Sequence, residues 1–336
     1  MGVQSFRPQD SVRFKNILPI SSPNGSNNFY CGSASDKYVL FGGAASLVTR
    51  VGASGYMDIV NSSLGGNVVA MVQTKTGRII CAKLSSSAPL VYSDDNGDTW
   101  NTFGGTQPTT GASPGAFAVS PNNVIGYLDI STGIKRLYKS DDNGENWSFV
   151  GGIPNQITGA TQSLLTYSKK FGVFILSGYG VSTLYTMTTS DLVSLSTLTA
   201  HTQSAFNGST PRIIFERRNG DLLIGTGGGG SFPSDGPDCG IITSLIGNNN
   251  ISKINAPGLK LLTAASEVHT MGELNGHLYI ITERCVIREK SAGSYNFELI
   301  PNTTAAVNGN GQGFCGTIDN NLYYVASNTM FSTLHA

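Results

Sequence analysis

Seven times along this chain a short polar turn gives way to a run of apolar residues. The first three are Asp36-Lys37 before Tyr38-Val39-Leu40-Phe41, Thr76-Gly77-Arg78 before Ile79-Ile80-Cys81-Ala82, and Asn122-Asn123 before Val124-Ile125-Gly126-Tyr127. Next come Lys170-Phe171-Gly172 before Val173-Phe174-Ile175-Leu176, and Asn219-Gly220-Asp221 before Leu222-Leu223-Ile224. Asn275-Gly276-His277 before Leu278-Tyr279-Ile280-Ile281 and Asn320-Asn321 before Leu322-Tyr323-Tyr324-Val325 complete the set. With Lys37, Gly77, Asn123, Gly172, Gly220, Gly276 and Asn321 as markers, the spacings are 40, 46, 49, 48, 56 and 45 residues, against 336/7 = 48 for equal units. Glycine and asparagine suit such turns because tight hairpins need positive φ.

A period near 48 residues is the length of a four-stranded blade. In the second unit the pattern predicts strands at residues 68–74, 78–84, 90–93 and 100–103. The second strand of each unit is apolar almost throughout, as expected where neighbours cover both faces of a sheet. The chain is therefore expected to be all-β, with seven four-stranded antiparallel blades packed radially as a seven-bladed β-propeller, one domain over residues 1–336. After 329–334 the seventh unit is one strand short, while the apolar segment 12–17 precedes the first unit and is spare. Residues 1–18 are thus expected to be a tail and closing strand that completes blade 7 as velcro, leaving no open seam.

Composition agrees with many turns and short strands: glycine is 42 of 336 residues and charged residues only 12%. With 21 basic and 21 acidic side chains the net charge is zero, so no long-range field favours nucleic acid or an anionic membrane. The first residues, Met1-Gly2-Val3-Gln4-Ser5-Phe6-Arg7-Pro8, read as neither a signal peptide nor a myristoylation site, and no apolar run reaches membrane-spanning length. The expectation is synthesis in a bacterial cytoplasm without a signal peptide and no membrane insertion. Five cysteines, Cys31, Cys81, Cys239, Cys285 and Cys315, are widely spaced without a CxxC and read as buried free thiols.

Both tryptophans of the chain close the same octapeptide, Ser93-Asp94-Asp95-Asn96-Gly97-Asp98-Thr99-Trp100 and, 47 residues later, Ser140-Asp141-Asp142-Asn143-Gly144-Glu145-Asn146-Trp147. These strings resemble the motif Ser/Thr-x-Asp-x-Gly-x-Thr-Trp/Phe of the Asp-box, or BNR-repeat, β-propellers of the sialidase-like superfamily. The first copy matches at Ser93, Asp95, Gly97, Thr99 and Trp100; the second matches at Ser140, Asp142, Gly144 and Trp147, with Asn146 in place of Thr. A decayed third position, Thr189-Ser190-Asp191-Leu192, has lost the glycine and the aromatic. Physically the octapeptide is a self-satisfying turn: the carboxylate accepts backbone N–H groups, glycine supplies positive φ and the indole packs between blades. The resemblance implies that these boxes lie on an outer rim, away from the ligand face. A calcium reading of Asp94, Asp95 and Asp98 fails for want of the twelve-residue loop and its terminal Glu.

The resembled family includes sialidases, other glycosidases, receptors, an assembly factor and phage tail proteins, so the fold alone does not choose a function. A sialidase-like site needs three arginines on the sugar carboxylate, a Tyr nucleophile with a Glu base, and an Asp acid. Arg50, Arg212 and Arg284, with Glu216 and Tyr185, are the residues available for it, whereas Phe6-Arg7-Pro8-Gln9 lacks the isoleucine of the family's arginine motif. A general acid and base pair could come from Asp36, Asp129, Glu216, Glu267, Glu283 or Asp319, although isolated acids beside hairpins more often form turns. His201, His269, His277 and His335 are unclustered, and Gly225-Thr226-Gly227-Gly228-Gly229-Gly230 lacks the Lys-Ser/Thr of a phosphate loop, so no metal or cofactor is expected.

The longest unit owes its length to residues 225–240, whose Ser231, Phe232, Asp235 and Asp238 are the ligand-binding candidates, followed by the polar segments 106–114 and 201–210. In composition the chain resembles bacteriophage tail or tail-fibre components, which leave the cell by lysis. The leading expectation is a non-enzymatic virion propeller that binds other tail proteins or a host surface glycan, with no catalytic residues. The alternatives are a glycoside hydrolase of sialidase-like fold acting on a surface polysaccharide, or an Asp-box assembly factor.

Overall fold

A computed structural model describes residues 13–19, 29–34, 37–43, 47–52, 57–61, 64–84, 89–108, 115–130, 135–155, 164–180, 183–202, 210–227, 239–246, 250–254, 268–282, 285–300, 314–318, 321–326 and 329–334. These residues form seven four-stranded antiparallel sheets, each built from strands consecutive in sequence except the last. We number the blades 1 to 7 from the sheet that begins at Phe29–Ala34. The first strands of neighbouring blades pack against one another around a closed circuit, blade 7 returning to blade 1. Among the described residues no helix is long and apolar enough to cross a membrane.

Closure is by the amino-terminal strand. Arg13–Pro19 pairs antiparallel with Thr329–Leu334 and forms the outermost strand of blade 7, beside Asn321–Ala326 and Phe314–Ile318. It lies slightly further along the chain than the expected 12–17. Blade 2 follows the expected order as Val68–Gln73, Ile79–Lys83, Leu90–Ser93 and Asn101–Thr102, its outer strand reduced to two residues.

The core is the set of seams between blades. Leu223 and Cys239 of blade 5 pack with Met271, Leu278, Ile280 and Ile287 of blade 6, and Leu40 and Val48 of blade 1 with Val68, Met71, Ile79 and Cys81 of blade 2. Each fully buried Leu or Ile contributes roughly 1.5–3 kcal/mol. This explains the unbroken apolar second strands, because Ile79–Lys83 and its equivalents are covered from both sides. Five of the seven marker positions are left-handed, with φ of +93° at Gly77, +61° at Asn123, +67° at Gly172, +88° at Gly220 and +78° at Gly276.

Strand direction gives the ring two ends. The turns between first and second strands and those between third and fourth strands lie at one end, which holds both octapeptides. The other end receives the connections between second and third strands and those from one blade to the next.

Candidate functional site

The octapeptides are closed on themselves. The Ser93 hydroxyl donates to Asp95 Oδ1 at 2.7 Å and accepts the Gly97 N–H at 2.7 Å; Asp95 also accepts the Thr99 N–H at 2.8 Å and the Thr99 hydroxyl at 2.6 Å. The Trp100 indole donates to Gly97 O at 3.0 Å. In the second copy Asn146 does the work of threonine, its N–H and side-chain amide donating to Asp142 at 2.9 and 2.8 Å, and the Trp147 indole donates to Gly144 O. Burial would raise both aspartate pKa values, but these donors outweigh it and hold each carboxyl below its ordinary value. Gly144, at φ +90°, leaves no room for a side chain, since a Cβ would stand 2.7 Å from Ile80 Cδ1 of the preceding blade. The decayed copy keeps a shorter version: the Leu192 N–H donates to the Thr189 hydroxyl and the Val193 N–H to Asp191, with Leu192 at φ +57°.

Arginines tie these turns to the preceding blade. Arg50 of blade 1 stacks over Tyr38 and donates to Asn96 O and to Asp98 Oδ1 at 2.7 Å in the blade 2 box. Arg78 of blade 2 lies over Tyr92, holds Asp94 with two bonds and reaches Asn143 O and Glu145 in the blade 3 box. Blade 6 has no box, yet repeats the arrangement around a buried carboxylate. Glu289 accepts the N–H groups of Tyr295 and Leu278 and both terminal nitrogens of Arg217 from blade 5. Burial pushes Glu289 up, and Arg217 with the two backbone donors more than reverses it, so the carboxyl titrates below its ordinary range. Tyr295 donates to Asp221 Oδ2, and burial followed by that carboxylate pushes its phenol up to about 12. A phenol held protonated in this way is no nucleophile.

These contacts account for several residues that sequence chemistry singled out. Arg50 is committed to the blade 2 box. Glu216 Oε1 caps the N–H groups of Lys169 and Lys170 in blade 4, and Tyr185 packs in the seam between blades 3 and 4. The His277 ring bonds Glu289 O at 2.8 Å, and His201, fully buried, bonds the Thr186 hydroxyl at 2.8 Å. Asp129 is fully buried at the end opposite the boxes. Asp36, Glu267, Glu283, Arg284, Asp319 and His335 lie outside the described residues, as do Ser231, Phe232, Asp235 and Asp238. Of the polar segments, 109–114 and 203–209 also lie outside them. The structure thus brings Arg50 and Glu216 to the box end rather than together with Arg212, whose strand position is towards the other end. Among the described residues no group of three or more His, Cys, Asp and Glu could hold a metal ion.

At the end opposite the boxes the backbone carries a feature that sequence reasoning missed. The first strands of blades 1, 2, 5 and 6 each shift register once, between Phe29 and Cys31, Val68 and Ala70, Pro211 and Ile213, and Val268 and Thr270. The extra residues are Tyr30, Val69, Arg212 and His269. Each shift faces an equivalent place in the second strand, three residues beyond Val39, Ile79, Leu222 and Leu278 respectively. Bulges re-aim side chains and gather beside binding sites, because an unpaired residue is released from strict alternation. First strands line the axis, so these four residues mark its mouth.

No protein-family model matches the chain, and no curated protein matches it by sequence. Among solved structures it is similar to virginiamycin B lyase from Staphylococcus aureus, with 14% identity, a TM-score of 0.66, and coverage of 98% of this chain and 100% of that one. It is similar to YCF48 bound to D1 peptide, with 8% identity, a TM-score of 0.67, and 98% and 96% coverage. A GH74 xyloglucanase from Xanthomonas campestris matches at 14% identity and a TM-score of 0.66, over 96% of this chain and 53% of that one. A lyase, a peptide-bound protein and a glycosidase share this architecture at such low identity, and what they establish for this chain is the seven-bladed propeller fold.

Proposed function

We propose that the chain is a non-enzymatic binding propeller of the Asp-box type, carried in a bacteriophage tail or tail fibre, whose ligand face is the end opposite the boxes. The observation that carries this reading is the employment of Arg50 and Glu216. Both are residues a sialidase-like site would draw on, and both are committed to holding neighbouring blades together at the box end. The opposite end has the four bulges and the strand ends Gly227 and Cys239, between which the sequence carries Ser231, Phe232, Asp235 and Asp238. Hydroxyl, amide and aromatic groups on connections from a rigid scaffold suit hydrogen bonding and stacking with a glycan or with another virion protein.

Three measurements test it. Immuno-electron microscopy of virions should place the protein on the tail, and fluorogenic glycosides, sialosides included, should show no turnover. Substituting Ser231, Phe232, Asp235 and Asp238 with alanine should abolish binding to host cells or tail proteins and leave the melting temperature unchanged. Turnover of a glycoside would replace this reading with the hydrolase, and absence from virions would remove the tail assignment.

A further inference from the structure

At the box end the turns between first and second strands surround the axis, because the first strands of neighbouring blades pack around it. Three of these turns are tied to the following blade in the same way. The Lys75 N–H of blade 2 donates to Asn123 Oδ1 of blade 3 at 2.8 Å. The Lys169 and Lys170 N–H groups of blade 4 donate to Glu216 Oε1 of blade 5 at 3.0 and 3.2 Å, and the Arg218 N–H of blade 5 donates to Glu273 Oε2 of blade 6 at 2.7 Å. Every residue whose backbone is held in this way is basic, and all four are exposed. The neighbouring acceptor satisfies the main chain and not the charge. Among the described residues none of the four side chains has a carboxylate partner, and Lys170 lies over the Phe171 ring. Lys37 in the blade 1 turn is exposed as well, while Asp36 and Asp319 of the turns in blades 1 and 7 lie outside the described residues.

Further from the axis the charges are largely matched. Arg50 pairs with Asp98, Arg78 with Asp94 and Glu145, and Lys139 with Asp141; Lys290 of blade 6 is exposed without such a partner among the described residues. The carboxylates behind the axial turns are also committed. Glu273 takes Arg217 and the Arg218 N–H, Asp221 takes Asn219 and the Tyr295 phenol, and Glu216, half-buried, takes the two lysine N–H groups. Unpaired positive charge is therefore gathered at the axis, although the whole chain is neutral. A short acidic segment fits so small a footprint, whereas an extended polyanion such as nucleic acid needs a longer track of unpaired cations than the paired rim provides. We propose that the axial turns of the box end form a docking surface for an acidic segment of a partner protein, with Lys75, Lys169, Lys170 and Arg218 as its contacts. This surface lies at the other end of the ring from the proposed ligand face, so one propeller can hold a partner at each end.

The test uses the full chain and three fluorescent probes: an oligoglutamate peptide, an oligoglutamine peptide of the same length, and a single-stranded oligonucleotide of the same charge. At low salt the oligoglutamate should bind and the oligoglutamine should not, and the affinity should fall as salt is added. Exposed ion pairs are weak singly and accumulate over several contacts. Combining Lys75→Gln, Lys169→Gln, Lys170→Gln and Arg218→Gln should therefore weaken oligoglutamate binding roughly tenfold or more. The melting temperature should not move, because none of the four charges holds another blade. Lys169→Gln alone should weaken binding about twofold, while Lys290→Gln on the rim should leave it unchanged. If the fourfold variant melts early, Lys169→Gln against Lys290→Gln decides. Absence of oligoglutamate binding, an equal loss in Lys290→Gln, or tighter binding of the oligonucleotide overturns the proposal. None of these outcomes touches the ligand face opposite the boxes, which is read from host-cell or tail-protein binding.

Discussion

Arg217 of blade 5 donates to Glu289 of blade 6 at 2.9 Å, with both side chains almost wholly buried. The pair spans 72 residues of sequence and performs in a blade without a box what Arg50 and Arg78 perform on the boxes of blades 2 and 3. Removing one partner leaves an uncompensated buried charge, which costs about 3–5 kcal/mol. Arg217→Met should therefore lower the denaturant midpoint strongly, and Arg217→Met combined with Glu289→Gln should recover part of the loss. A double variant no better than the single would show that the pair is not the unit.

Asp95→Ala and Asp142→Ala remove the acceptor at the centre of each box. Each substitution strands at least two backbone or side-chain donors, for a cost of about 1–3 kcal/mol. Asp95→Asn should do less harm, since the amide oxygen still accepts the Thr99 N–H. Thermal melts order the three variants, and ligand capture by the folded variants should match wild type. Loss of capture in a folded box variant would move the ligand site to the box end.

The ring was legible because its signals are local and repeat. Gly77, Asn123, Gly172, Gly220 and Gly276 announce their turns by residue type alone, and the apolar strands behind them, covered on both faces, carry no ambiguity of register to resolve. The closing strand was legible by counting, since Arg13–Pro19 had no other blade to join. The bulges left no trace, because one inserted residue changes neither composition nor period. Glu289, at the end of the third strand of blade 6, carries no mark of its burial in sequence, and only its contact with Arg217 reveals it. Arg50 and Glu216 had the right chemistry for a site, but their place depends on contacts 46 to 48 residues away.

Acid should weaken the fold in two stages. His201 is buried with one ring nitrogen on Thr186, and burial lowers its pKa from 6.5. The folded state thus binds this proton less readily than the unfolded chain, so stability is full above pH 6.5 and declines as pH falls below it. Glu289, Asp95 and Asp142 are held below their ordinary values of 4.5, 3.8 and 3.8; their contribution is full above these values and is lost as pH falls through the lower, folded ones. Denaturant midpoints across pH 3 to 8 should show both steps, and His201→Gln should erase the upper one. An upper step that persists in His201→Gln belongs to another group.

The thiols should be silent in the native protein. Burial pushes Cys31, Cys81, Cys285 and Cys315 upward, and Cys239 is fully buried in the seam between blades 5 and 6. A thiol-disulfide reagent acts on the thiolate, so the native chain should react slowly at pH 8 and release five equivalents only after denaturation. Rapid native reaction at any one cysteine would place it outside the seams.

Removing residues 1–19 tests how the ring is closed. The strand Arg13–Pro19 supplies the outer edge of blade 7, and without it Thr329–Leu334 becomes an open edge at the carboxyl terminus. Two costs follow: the backbone pairs from Arg13 with Leu334 to Pro19 with Thr329 are lost, and the carboxyl-terminal blade loses its covalent tie to the amino-terminal half of the chain. An exposed edge also recruits other chains. The truncated protein should melt well below the full chain and show concentration-dependent association by light scattering. Adding back a synthetic peptide of residues 11–20 should restore part of the melting temperature, since it can refill the same edge. Unchanged melting after truncation would mean that the six complete blades and three remaining strands hold the circle by their seams alone.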